Sequence, residues 1–225
     1  MSTIYSKIVL PTRPQTETIV AIFILKKFGQ EQFPGIKDAT IEIWQMVPPD
    51  ETEVSLDNKG VILIDLGDGR FDHHASQFKT TASDLMANFL GIADKSSLVK
   101  LLEYARRDDF FGKGTVSEDP LDRAFGLSAL IAALNKSLIT NPAKVIDIAM
   151  PLLIAHHNEE VRRTEELPAE FEAKVKNGEL ETFEVRQRDK KLKTVILSSD
   201  NGSFAGYLRS QNGGKYDIVA QWLPS

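Results

Sequence analysis

Residues 60–74 read GVILIDLGDGRFDHH. The first seven, Gly60 to Leu66, are apolar but for Asp65, which predicts a strand buried on both faces, as in a parallel sheet. A glycine-bearing turn follows and ends in Asp72-His73-His74. The whole chain holds four histidines, so an adjacent pair beside a carboxylate carries information. Asp65 closes the strand seven residues before Asp72. Carboxylate oxygen and imidazole nitrogen, delivered from the ends of rigid elements, suit a divalent cation. Asp65, Asp72, His73 and His74 are therefore the first candidates for a metal centre.

On the N-terminal side, residues 7–11 predict a short strand and 18–28 an apolar helix, introduced by Thr16 and Glu17 and closed by Gly29 as a left-handed cap. Residues 40–46 alternate with period two and predict a strand, and 48–54 a connection. Strand, helix, strand, strand implies an α/β fold with a mostly parallel sheet and flanking helices. Such sheets bind ligands at the carboxyl ends of their strands, where residues 11–17 and 65–74 both fall. On the C-terminal side, helices are predicted at 81–90, 96–105, 121–134 and 145–163, with Asp119 capping and Pro120 leading the third. A hairpin (181–187 and 192–197), a short helix (203–210) and a strand (216–222) make a small α/β lobe. The expected domains are 1–140, a helical connector 141–179, and the lobe 180–225.

Composition narrows the function. The hydrophobic share of 42% and charged share of 26% suit a globular chain of 225 residues. A net charge of −5 argues against an extended nucleic-acid surface, which needs a basic face. Zero cysteine excludes thiolate catalysis and cysteine-ligated zinc. No apolar run approaches a membrane span and the first residues lack a signal core, so a cytoplasmic location is the expectation. His156 and His157 are adjacent on a helix, about 100° apart, and do not converge, which favours packing over ligation. The chain stops at 222–225 directly after a strand, which suggests a trimmed or truncated lobe with an open sheet edge. A homodimer is one way to cover such an edge.

Asp65, then Asp72-His73-His74, then Arg106 to Gly112 (RRDDFFG) following a helix, resemble successive motifs of the DHH phosphoesterase superfamily, named for that tripeptide. The opening strand and helix resemble the segment carrying its first motif, and residues 192–222 its small substrate-binding lobe. The resemblance implies a two-lobed phosphoesterase using Mn²⁺ or Mg²⁺ on a small phosphorylated or nucleotide substrate. It makes Asp65 the bridging carboxylate, His73 a metal ligand, His74 a contact to the scissile phosphate, and Asp109 a further ligand, with Asp108 the alternative. Asp72 would orient the histidines from behind, as carboxylates do for metal-bound imidazoles. Gly213 and Gly214 would let backbone approach a phosphate.

The first motif departs from that pattern. The family places a histidine and two aspartates before the helix, whereas this chain has Arg13, Gln15 and Glu17. Gln15 offers a neutral oxygen and Glu17 a carboxylate with one extra methylene. Arg13 keeps its proton and cannot ligate, but its planar fork suits phosphoryl oxygens. Two alternatives follow: a phosphoesterase with an impaired or one-metal site, in which Glu17 completes the ligands, or a non-catalytic relative that binds a nucleotide or a protein partner.

Overall fold

The computed structural model describes residues 3–211 and 213–222. The final residues 223–225, on which the expectation of a trimmed lobe partly rests, lie outside the described residues. The fold is mixed α/β, with one parallel and one mixed three-stranded sheet. It divides into two compact units, Met1–His157 and Asn158–Ser225, with the division inside a single helix.

In the first unit β1 (Lys7–Leu10) lies between β2 (Thr40–Ile43) and β3 (Val61–Leu63), parallel to both. Side chains alternate across this sheet. Ile8, Leu10, Ile62 and Ile64 enter the main core, while Val9, Val61 and Leu63 meet Leu56 of α2 (Glu53–Asn58) on the other face. Helix α1 (Thr16–Phe28) has every residue from Thr16 to Leu25 buried. A helix apolar nearly all round is a central one. It packs against α3 (Ala82–Phe89), α4 (Val99–Phe111) and α6 (Leu127–Ser137). Each of its buried Ile, Leu, Val and Phe side chains contributes roughly 1.5–3 kcal/mol of hydrophobic free energy.

Several boundaries differ from the sequence expectation. The strand predicted over residues 60–66 is only three residues long, because Asp65 adopts a left-handed backbone (φ 59°) and turns the chain out of the sheet. Helix α2 occupies part of the predicted connection, started by Thr52, whose hydroxyl accepts from Ser55 N (3.1 Å). Helix α4 continues to Phe111, where Gly112 (φ 67°) supplies the left-handed stop. Asp108 and Asp109 therefore lie in its last turn, not beyond it. The helix predicted over 121–134 is two helices, α5 (Pro120–Phe125) and α6, separated by extended Gly126. Asp119 caps α5 as expected, accepting from Leu121 N (2.8 Å). Gly29 has φ −85° and is not a left-handed cap.

Helix α7 (Ala143–Val161) begins in the first unit, where His157 is buried with its ring 5.3 Å from Phe23 and 5.7 Å from Phe28. The second unit continues through a π-helical turn (Arg162–Glu166) into α8 (Leu167–Lys176). A hairpin, β4 (Leu180–Gln187) and β5 (Lys190–Ser198), pairs antiparallel. After α9 (Phe204–Arg209), β6 (Ile218–Trp222) joins β5 in parallel. Leu167, Val195, Leu197, Phe204, Tyr207 and Leu208 form this unit's own small core. No helix among the described residues is long and apolar enough to cross a membrane.

Candidate metal centre

The loop after β3 is fixed before any ligand is considered. Phe71 is buried in the main core, and its carbonyl accepts from Asp65 N (2.9 Å), closing the loop on itself. Arg70 ties the same loop to α2, pairing with Glu53 (2.6 Å) and Asp57 (2.7 Å), and its guanidinium lies near the rings of Phe33, Phe71 and Phe89. Asp72 then shapes the histidine segment. Its Oδ2 accepts from Asp68 N (2.9 Å), and its Oδ1 accepts from His74 N (3.1 Å) and lies 2.6 Å from His74 Nδ1.

These anchors bring Asp65, His73 and His74 together. One ligand atom from each lies within 4.8 Å of the others. Asp65 Oδ1 is 3.3 Å from His73 Nε2 and 3.6 Å from His74 Nδ1. That oxygen is buried and accepts no hydrogen bond, an expensive state for a carboxylate unless a cation serves it. The donor set therefore fits a divalent ion. Asp109 stands at the edge, its Oδ1 4.0 Å from His73 Nε2. Its carboxyl is raised above the ordinary range, chiefly by burial, then by Asp65 against the opposing pull of His73. The two neighbouring arginines do not compensate it, for Arg106 pairs with Asp84 (2.8 Å) and Arg107 with Glu103 (2.7 Å).

Asp72 serves His74 rather than His73. Its hydrogen bond raises the His74 imidazole above its usual range, against the opposing effect of burial. Burial pushes Asp72 upward in turn, but its bonds from the His74 ring and the backbone outweigh that and hold it low.

Glu17 sits behind Asp65, outside this cluster. Its Oε2 accepts from Ala82 N at the start of α3 (2.8 Å), and its Oε1 lies 2.8 Å from Thr18 Oγ1. The same hydroxyl lies 3.0 Å from Asp65 Oδ2, so one proton serves one carboxyl at a time. Burial, reinforced by Asp65, pushes the Glu17 carboxyl well above the usual range. Both of its oxygens are engaged, so Glu17 supports Asp65 in this geometry. Gln15 is the N-cap of α1, its backbone N–H donating to Thr18 Oγ1 (3.3 Å). Thr18 thus joins the first-motif segment to Asp65, a role that sequence reading missed. A threonine at the third helical position beside a carboxylate is the faint signal that was available.

Arg13 and Gln15 instead line a cavity of about 850 Å³ together with Thr16, Asp108 and Asn135. Lys113, Arg123 and Lys136 complete a lining of four cations and one carboxylate. Sequence reading missed these three because they come from a loop and two different helices, with no spacing to unite them. In the second unit, the Gly213 amide donates to Ser210 Oγ (3.3 Å), and an ideal Cβ there would stand 2.1 Å from Tyr207 O. Packing on α9 thus requires that glycine, while Gly214 (φ 99°) makes the turn. No protein-family model, curated protein or solved structure matches the chain.

Proposed function

We propose that the first unit is a divalent-cation-dependent phosphoesterase site of the DHH type, reduced to one principal cation, and that Mn²⁺ or Mg²⁺ is its metal. The observation that carries this is the buried, unbonded Asp65 Oδ1, faced by two imidazoles. Asp65 and His73 would hold the ion, with Asp109 adding a further donor. A divalent ion in such a centre supplies a nucleophile at neutral pH by acidifying water. The chain supplies the rest. Arg13 and its neighbours orient a small phosphorylated or nucleotide substrate, and His74, its ring held by Asp72, contacts the scissile phosphate.

A non-catalytic binder is the second reading. It is favoured by Glu17, whose oxygens are committed to Thr18 and the Ala82 amide and so are withdrawn from a second cation. Turnover separates the two. Hydrolysis of bis(p-nitrophenyl) phosphate that requires Mn²⁺ and is lost in His73→Ala supports the enzyme. Stoichiometric Mn²⁺ binding without turnover supports the binder. If the first motif is the lesion, Arg13→His with Gln15→Asp and Glu17→Asp raises the rate.

A further inference from the structure

A second hollow of about 1150 Å³ adjoins the basic cavity, and Thr16, Tyr104, Thr115 and Gly126 line both. Its character is different. Val99, Leu121, Phe125, Leu130 and Leu152 line it, and Phe125 is 70% and Leu121 65% exposed. Both belong to α5, which buries none of its residues, so this short helix presents apolar side chains that the fold itself does not use. Charges on the lining include Glu103 and Arg107, which neutralise each other at 2.7 Å. Where the hollows meet, Thr16 is 1% exposed and its hydroxyl has no hydrogen-bond partner. On the basic side, Asn135 Oδ1 is likewise buried and unbonded, although its amide nitrogen donates to Pro14 O (2.9 Å).

We infer that the paired hollows form one site for an amphiphilic phosphate monoester, its phosphate among Arg13, Arg123 and Lys136 and its alkyl chain along Leu121, Phe125 and Leu152. This rests on placing a phosphate in the basic cavity, as proposed above, and adds the class of substituent it carries. Cationic and apolar linings side by side match an ionic head joined to an oily tail, and neither lining alone calls for the other. The unbonded Thr16 hydroxyl stands where the hollows meet and can donate to the ester oxygen that joins head to tail.

Calorimetry with decyl phosphate, methyl phosphate, decanol and decyltrimethylammonium tests this, in EDTA and below micellar concentrations. Each methylene buried in the groove strengthens binding about fourfold, so even a partly seated chain should make decyl phosphate bind at least about tenfold more tightly than methyl phosphate. Leu121→Ser with Phe125→Ser, both exposed positions, should remove that advantage. Arg123→Ala with Lys136→Ala should reduce decyl phosphate to the level of decanol. Equal affinity for the two esters, equal binding of the cationic amphiphile, or an unchanged affinity in either double variant overturns the inference. Because EDTA removes divalent ions, the two proposals fail separately. Decyl phosphate binding without any Mn²⁺ binding refutes the metal centre alone, and Mn²⁺ and methyl phosphate binding with no gain from the chain refutes the amphiphile site alone.

Discussion

At Asp65 a left-handed backbone, a buried carboxylate and an acidic neighbour coincide. A non-glycine residue in that region costs of order 1–3 kcal/mol, and such costs concentrate at functional sites. Asparagine tolerates the same backbone, so Asp65→Asn isolates the charge. In EDTA at pH 7 this variant should gain about 1 kcal/mol, seen as a rise in Tm of about 2–4 °C, while losing Mn²⁺ binding. Glu17 gives the pH signature. Its carboxyl is raised in the folded state, so the folded chain holds a proton that the unfolded chain releases near the ordinary value of 4.5. Stability in EDTA should therefore fall as pH rises above that value, and Glu17→Gln should flatten the fall in a series of thermal melts. Asp72 works through His74. Asp72→Ala should therefore lower Mn²⁺-dependent turnover about 10- to 100-fold, the usual effect of removing a partner that orients a site residue, with Mn²⁺ affinity near the parent level and little change in secondary structure.

At the scale of elements, the centre depends on how a short strand, a clamped loop and a helix end are held. Arg70 binds the loop to α2 through two carboxylates. Arg70→Met keeps much of the stem that packs on Phe71 but frees both acids. It should reduce Mn²⁺ affinity about tenfold, with faster hydrogen exchange confined to residues 65–74. Helix α3 is set by Thr81, whose hydroxyl accepts from Asp84 N (3.1 Å), and Thr81→Ala should cost about 1 kcal/mol in chemical denaturation. Much of this level could be read in the chain, because strong local signals prevailed. Asp119 capping and Pro120 leading α5, the hairpin over 181–187 and 192–197, and the apolar runs of β1 and α1 all formed the elements they predict. What could not be read arose from non-local forces. The left-handed turn at Asp65 cut a seven-residue apolar run to a three-residue strand, and Arg106 reached across to Asp84 on α3. The cavities were invisible because their walls come from five helices and the loops between them.

At the scale of the molecule, two cores of unequal size are carried on one chain. Leu197→Ala removes a fully buried side chain from the smaller core and should cost about 2–5 kcal/mol there. The chain has two tryptophans, Trp44 in the first unit and Trp222 in the second. With Trp44→Phe as background, Trp222 fluorescence should report an earlier unfolding of Leu197→Ala, while its Mn²⁺ affinity stays at the parent level. That independence follows because the proposed ligands all lie in the first unit. The most direct measurement is calorimetric titration of Mn²⁺ into the parent chain and into His73→Ala, with circular dichroism confirming that both are folded. One ion per parent chain, with binding lost or weakened at least about 100-fold in the variant, is the expected result. A folded parent that takes up no Mn²⁺ or Mg²⁺, or a variant that binds as well as the parent, would contradict a cation centre at Asp65 and His73.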